Sequence, residues 1–303
     1  MSRRASPRHV VLIGAARSGT KLLRDALATA TGAGAVPYDI GYVWRAGAGP
    51  HADDVLDPTE LTPRMRDFIV GFVDKYAAGH PSAVVEKTVG NTLRVPYVVR
   101  VLPDAAFVHL IRDGVDVAES TFRQWREPAD YRYLAQKVRH FPLRMAPTYG
   151  RRYVASLLRR SVAGDGRVTT WGPRYPGIEN DLAQVDLLTV CARQWRESVE
   201  RARRGFRDAA ISVVEVRYED LVAHPEAELG RVSEFCGLPA SEASLSAAAA
   251  KIEPGRSGTG SRALEPTEMA QLDVEIGTLL VDLGYDRPVE DDETQGGRPD
   301  DPE

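Results

Sequence analysis

The sequence predicts an α/β domain with a central parallel sheet, helices on both faces and a helical insertion. Three observations lead there. Short apolar runs of strand length alternate with helical segments, an order that calls for crossover connections and hence a parallel sheet. The first run ends in a small-residue turn, Gly14-Ala-Ala-Arg-Ser-Gly19, which opens straight into a helix. A hydrophobic fraction of 43% over 303 residues supplies enough apolar material for a large core.

Taken in order, His9 to Ala15 reads as a short buried strand, and Gly19 to Thr31 carries Leu22, Leu23, Ala26, Leu27 and Ala30 at helical spacing. A second unit begins with the strand from Ser82 to Lys87, continues as a helix from Asn91 to Leu102 and returns as the strand Ala105 to Ile111. The helix Val115 to Trp125 follows. From Tyr131 to Phe206 the pattern becomes helical and arginine-rich, broken by Trp171-Gly-Pro-Arg-Tyr-Pro-Gly177, and reads as an insertion or lid. Arg151, Arg152, Arg159 and Arg160 lie along one helix of this region and could greet an anionic substrate, though such charge runs usually just face water. The strand Ile211 to Tyr218 rejoins the sheet, and helices at Pro225 to Cys236, Ser241 to Ile252 and Thr267 to Leu283 close the domain. Residues 1–285 thus form a single domain, with the insertion at about 131–206. The stretch 286–303, dense in Asp, Glu, Gly and Pro, reads as a disordered acidic tail.

Bulk properties exclude several functions. A net charge of −4 argues against a protein that covers nucleic-acid phosphates, so any basic site is local. Cys191 and Cys236 stand far apart with no C-x-x-C pairing and no histidine at ligand spacing, as expected of buried thiols in a reducing compartment. The apolar run after the basic start is too short for a secretory signal, and no stretch reaches membrane-spanning length. A cytoplasmic location, no membrane span and no nucleic-acid partner are expected.

The turn Gly14-Ala-Ala-Arg17-Ser18-Gly19-Thr20-Lys21 carries the most chemistry. Small residues let backbone N–H groups converge there, and the helix N-terminus adds partial positive charge, which together make a phosphate cradle. A nucleotide-triphosphate loop would have lysine directly after the second glycine and then a hydroxyl for magnesium. Here Lys21 comes one place late, turned by about 100° around the helix, and the magnesium hydroxyl is missing. Arg17 instead precedes the glycine, flanked by Ser18 and Thr20 as neutral donors. At the second strand–helix junction Arg112 leaves the carboxyl end of a strand, where open α/β sheets bind ligands, and Ser120 follows eight positions on, with Arg123 beyond it.

The Arg-Ser-Gly-Thr run resembles the 5'-phosphosulfate loop of the sulfotransferase superfamily, as carried by its bacterial branch related to tyrosylprotein and carbohydrate sulfotransferases. The Arg112/Ser120 pair is similar to that family's 3'-phosphate motif. The resemblance implies a P-loop-like three-layer fold and an enzyme that uses 3'-phosphoadenosine-5'-phosphosulfate (PAPS) as co-substrate, releases the desulfated nucleotide (PAP) and needs no metal. It further implies a lysine-bearing strand end at Glu86-Lys87-Thr88 with Asn91 and Arg94. Tyr218, within Val216 to Leu221, would help hold the adenine nucleotide. A late loop, Gly255 to Arg262, would fold over the 3'-phosphate through Ser257 and Arg262. The chain departs from the family in having Lys21 where a second threonine is common, and in lacking the late loop's lysine–tryptophan pair.

Sulfuryl transfer depends on positioning and charge stabilisation. Arg17, Lys87 and the backbone of Ser18 to Thr20 would spread positive charge over the sulfate and the departing oxygen. In the tyrosylprotein and several carbohydrate branches a glutamate lies shortly after the first loop's helix. The resemblance implies Asp39, in the matching stretch Val36-Pro-Tyr-Asp39, as the first candidate for general base and Glu86 as the second, while His109, inside an apolar strand, reads as a core residue. The acceptor is a hydroxyl or amine of a carbohydrate, lipid or small metabolite, and the sequence leaves it and the oligomeric state open. A P-loop nucleotide kinase or NTP hydrolase, and a non-catalytic nucleotide-binding protein, are the alternative functions.

Overall fold

The computed structural model describes residues 7–48, 53–77, 83–127, 171–253 and 257–288. The expected arginine helix with Arg151, Arg152, Arg159 and Arg160, the start of the late loop and residues 289–303 of the expected tail lie outside the described residues.

Five strands, β1 (Arg8–Ile13), β2 (Gly34–Ala35), β3 (Ala83–Lys87), β4 (Ala106–Ile111) and β5 (Val213–Arg217), form one parallel sheet in the order β2-β3-β1-β4-β5. β1 is central because both of its faces are apolar. Val11 and Ile13 enter one core with Val84 and Phe107, while Val10 and Leu12 enter the other with Val85, Val108 and Leu110. The first core is covered by α4 (Val95–Val101) and the end of a long helix, through Val98 and Phe206. The second is covered by α1 (Thr20–Thr31) and two later helices, through Leu23, Leu27, Leu229 and Ala248. This is the three-layer arrangement expected, with β2, α2 (Gly41–Trp44) and α3 (Pro63–Asp74) as elements the sequence reading does not foresee. β2 is only two residues long and too short to show a strand period.

The expected helix from Asn91 to Leu102 is two pieces, a 3-10 turn at Val89–Leu93 and then α4. Pro96 explains the break, since its ring and missing N–H suit the first turn of a helix and not its interior. α5 (Gly114–Arg126) follows β4, and Asp113 caps it by accepting from the N–H groups of Val115 and Asp116 at 2.7 and 3.2 Å.

Within the stretch read as an insertion, α6 (Ile178–Gln184) and α7 (Leu187–Asp208) are described. α7 is a structural layer and not a cover. Its Trp195 is buried among Val115, Ala118, Leu272 and Ile276, and the indole N–H donates to the Arg112 carbonyl at 3.2 Å. A helix that buries a tryptophan under the turn carrying Arg112 belongs to the domain's frame. The chain closes with α8 (Tyr218–Ala223), α9 (Pro225–Phe235), α10 (Glu242–Ala249), α11 (Thr259–Ala263) and α12 (Pro266–Asp282). No described helix is long and apolar enough to cross a membrane.

Candidate active site

The connection leaving β1 runs to one side of the sheet and that leaving β4 to the other, so the two strands flank a topological switch point, where open sheets hold ligands. Register fixes what gathers there. Lys87 lies opposite Leu12, Ile13 opposite His109, and Ile111 opposite Arg217, so Gly14, Lys87, Arg112 and Tyr218 all emerge at one carboxyl edge.

In the first turn Gly19 has φ +90°, and a Cβ there would lie 2.6 Å from the Tyr218 ring, so only glycine lets the tyrosine close over the turn. Arg17 adopts φ +67°, a left-handed conformation that costs a non-glycine residue energy. Its side chain compensates by bridging to α5, donating to Ser120 Oγ at 2.9 Å and to Gln124 Oε1 at 3.2 Å. No side chain caps α1 and its first turn has no acidic residue, so the helix's leading N–H groups and partial positive charge face the turn. The buried Ser18 hydroxyl has no hydrogen-bond partner among the described residues. These features suit the turn to cradle an anion.

Arg112 extends the cradle. It donates to the Arg17 carbonyl at 3.2 Å and to Asp116 Oδ2 at 3.0 Å, and its guanidinium stacks over Tyr218 at 4.4 Å. The motifs around Arg17 and Arg112, nearly a hundred residues apart, thereby form one surface with Ser120 and Tyr218. On the neighbouring strand Lys87 Nζ contacts both oxygens of Asp39, at 3.1 and 3.0 Å, and the same carboxylate accepts from the Val89 N–H at 3.0 Å.

Glu86 does not join Lys87. Successive side chains of a strand point to opposite faces, and Glu86 is 1% exposed, accepting from Trp44 Nε1 at 3.1 Å, Thr88 Oγ1 at 2.6 Å and Asn91 Nδ2 at 3.2 Å. Thr88 Oγ1 in turn accepts from the Ile40 N–H at 3.0 Å, so the network stitches the segment after Asp39 to the end of β3. Burial pushes the Glu86 carboxyl up to about 7 against the opposing hydrogen bonds from Thr88 and Trp44, with Asp39 raising it further and Arg94 opposing. Because the folded state then holds the proton more tightly than the unfolded chain, the stabilisation is complete below the ordinary glutamate range and is lost as pH rises through about 7. Wild-type stability is expected to fall by about 3 kcal/mol more than that of Glu86→Gln between pH 4.5 and 7.5, as read by urea denaturation. Parallel curves for the two proteins would refute this.

Other sequence candidates are placed differently. Lys21 is exposed on α1. Arg123 is exposed and pairs with Glu119 at 3.3 Å, one turn back on its own helix. Arg262 folds onto its own loop, donating to the Gly258 carbonyl at 2.8 Å and the Ser257 carbonyl at 3.4 Å. Ser257 has a buried hydroxyl without a partner among the described residues. His109 is buried against Phe206 and contacts Glu215 Oε2 at 3.3 Å; desolvation holds its pKa below the ordinary value. Residues the sequence reading missed include Gln124, Asp116 and Glu219, which accepts from the Asp113 N–H at 3.1 Å and from Tyr285 Oη at 2.8 Å. Only Asp116 left a local signal, its i,i+4 spacing from Arg112.

A profile of the sulfotransferase family matches residues 38–171 and 176–242, a span that includes Asp39, Lys87, Arg112, Ser120 and Tyr218 but begins after the first turn. Among solved structures, a sulfotransferase from Alicyclobacillus acidocaldarius is 17% identical, the match covering 93% of this chain and 97% of that one with a TM-score of 0.50. Sulfotransferase STF9 from Mycobacterium avium is 12% identical over 94% of this chain and 79% of that one, with a TM-score of 0.51. Mouse sulfotransferase SULT7A1, solved with PAP, is 14% identical over 92% and 88%, with a TM-score of 0.47. A search of curated protein sequences found no match. At these identities the first two structures speak to fold alone. The profile extends over more than half of the chain and runs through both the Lys87 strand end and the Arg112 junction, and on that ground the chain belongs to the sulfotransferase family.

Proposed function

We propose that the enzyme transfers a sulfuryl group from PAPS to a hydroxyl or amine acceptor of a carbohydrate, lipid or small metabolite. The observation that carries this reading is the bridge from Arg17 to Ser120 at 2.9 Å, which makes one anion surface of two separate motifs, as a nucleotide with phosphates at both ends of its ribose requires. Ser18, the N–H groups of α1 and Arg17 would take the 5'-phosphosulfate. Arg112 and Ser120 would take the 3'-phosphate, with Ser257 from the late loop, and Tyr218 would face the nucleoside.

In the transfer, the acceptor oxygen forms a bond to sulfur as the bond from sulfur to the 5'-phosphate oxygen breaks, and that oxygen leaves with the electron pair on PAP. Asp39 takes the acceptor's proton. Lys87 and Arg17 stabilise the charge gathering on the leaving oxygen, an interaction that strengthens toward the transition state. Glu86, enclosed by its three donors, is too sheltered to meet an acceptor, which favours Asp39 as the base.

PAP is expected to stabilise the protein by about 2.7 kcal/mol at a hundredfold excess over its dissociation constant, with a smaller effect from Mg-ATP. A thermal melt raised by Mg-ATP and unmoved by PAP would favour the kinase or hydrolase reading. Incubation with radiolabelled PAPS and panels of sugars, lipids, phenols and amines then identifies the acceptor class; transfer to none of them would favour a non-catalytic nucleotide binder.

A further inference from the structure

Asp116 is a buried carboxylate placed where a carboxylate is electrostatically unwelcome. It lies one helical turn beyond Arg112 on α5, its side chain 1% exposed, in a surface otherwise built to receive anions. Burying such a charge is unfavourable unless it is paired and hydrogen-bonded. Both of its oxygens are engaged. Oδ2 accepts from Arg112 Nη2 at 3.0 Å and from the Gly258 N–H at 3.0 Å, and Oδ1 accepts from the Gly260 N–H at 2.7 Å. One side chain therefore ties the β4–α5 junction to a loop more than 140 residues later in the chain.

The fit between the two is close. A Cβ at Gly260 would lie 2.8 Å from the Asp116 Cα and 2.8 Å from the Val115 carbonyl, so the late loop rests directly on the first turn of α5. On the other side of the carboxylate, Arg112 is held by Asp116, by the Arg17 carbonyl and by the Tyr218 ring. Those contacts fix both the position and the plane of its guanidinium. The buried Ser257 hydroxyl, without a partner among the described residues, sits at the start of the docked loop as a donor open to a ligand.

We infer that Asp116 is the positioning residue that sets nucleotide specificity: by holding Arg112 and the late loop in one arrangement, it makes the site read a 3'-phosphate. This rests on the donor assignment proposed above. Coulomb's law alone gives the opposite sign. Removing a negative charge beside a bound phosphate should tighten anion binding, so a loss of affinity on neutralising Asp116 is diagnostic of positioning.

The test uses PAP and AMP, which differ only by the 3'-phosphate, titrated calorimetrically into the full chain. Wild type should prefer PAP. Asp116→Asn should weaken PAP by about 10-fold to 100-fold, the range for lost charged hydrogen bonds, with AMP affinity nearly unchanged. Gly260→Ala, which crowds the loop off α5 while keeping the Arg112 and Asp116 side chains, should also lower the preference for PAP, and it keeps the test decisive if Asp116→Asn does not fold. PAP affinity equal to or tighter than wild type in Asp116→Asn overturns the inference. Equal losses of PAP and AMP also overturn it, by giving Asp116 a merely structural role. If wild type itself does not distinguish PAP from AMP, the donor assignment falls first and this inference with it.

Discussion

Asp39→Asn is expected to lower kcat by about 100-fold to 10,000-fold, the usual range for losing a positioned base, while the dissociation constant for PAP stays within about threefold of wild type. The amide keeps the carboxylate's shape but cannot take a full proton. It also breaks the ion pair that Lys87 makes with both oxygens of Asp39 at 3.0 to 3.1 Å, so a fall in kcat alone does not separate proton transfer from misplacement of the lysine. Acceptors of falling hydroxyl pKa separate them. If Asp39 is the base, the deficit shrinks as the acceptor approaches ionisation and no longer needs one. A deficit of constant size across that series would make Asp39 a support for Lys87, and full activity of the variant would remove Asp39 from the mechanism.

Lys87→Ala should reduce kcat by about 100-fold to 1,000-fold, the scale seen when one donor to a developing anion is removed, with a much smaller change in PAP affinity. The charge it meets grows as the leaving oxygen separates, so its contribution belongs to the transition state and not the ground state. The double variant with Asp39→Asn should be far less impaired than the product of the two single effects, because residues in direct contact that act as a unit are not additive. Strictly multiplicative losses would show that the contact at β3 has no part in the reaction. If PAP affinity collapses while kcat at saturation survives, Lys87 is a binding residue.

The parts of this site legible in the sequence are those that short stretches of backbone determine. A glycine-bearing turn between a strand and a helix makes an anion cradle wherever it occurs, because the geometry comes from a few adjacent residues. The place of Arg112 at a strand's carboxyl end and the wrong register of Lys21 for a triphosphate loop were readable for the same reason. The alternation of β3 likewise implies that Glu86 and Lys87 face opposite ways, though not which of them faces the site.

That choice belonged to the tertiary structure. Glu86 and Lys87 are neighbours in sequence and equally plausible as functional groups, yet packing of Trp44 and Asn91 around one face of β3 encloses the glutamate and leaves the lysine to meet Asp39. The same holds for α7, whose arginine-rich sequence suggested a cover but whose Trp195 is a pillar under Arg112, and for Arg123 and Arg262, which turn to partners on their own helix and loop. Asp116 shows the limit most clearly, since its partners at Gly258 and Gly260 lie 142 and 144 residues away. By itself the sequence determined the alternation of the longer strands with helices, the turn chemistry and the motifs that resemble the family, because these rest on local conformation and spacing. Which charged groups pair, which are buried and which are left for substrate follows from long-range packing and the cost of burying unpaired charge, and only the assembled sheet and its helices decide that.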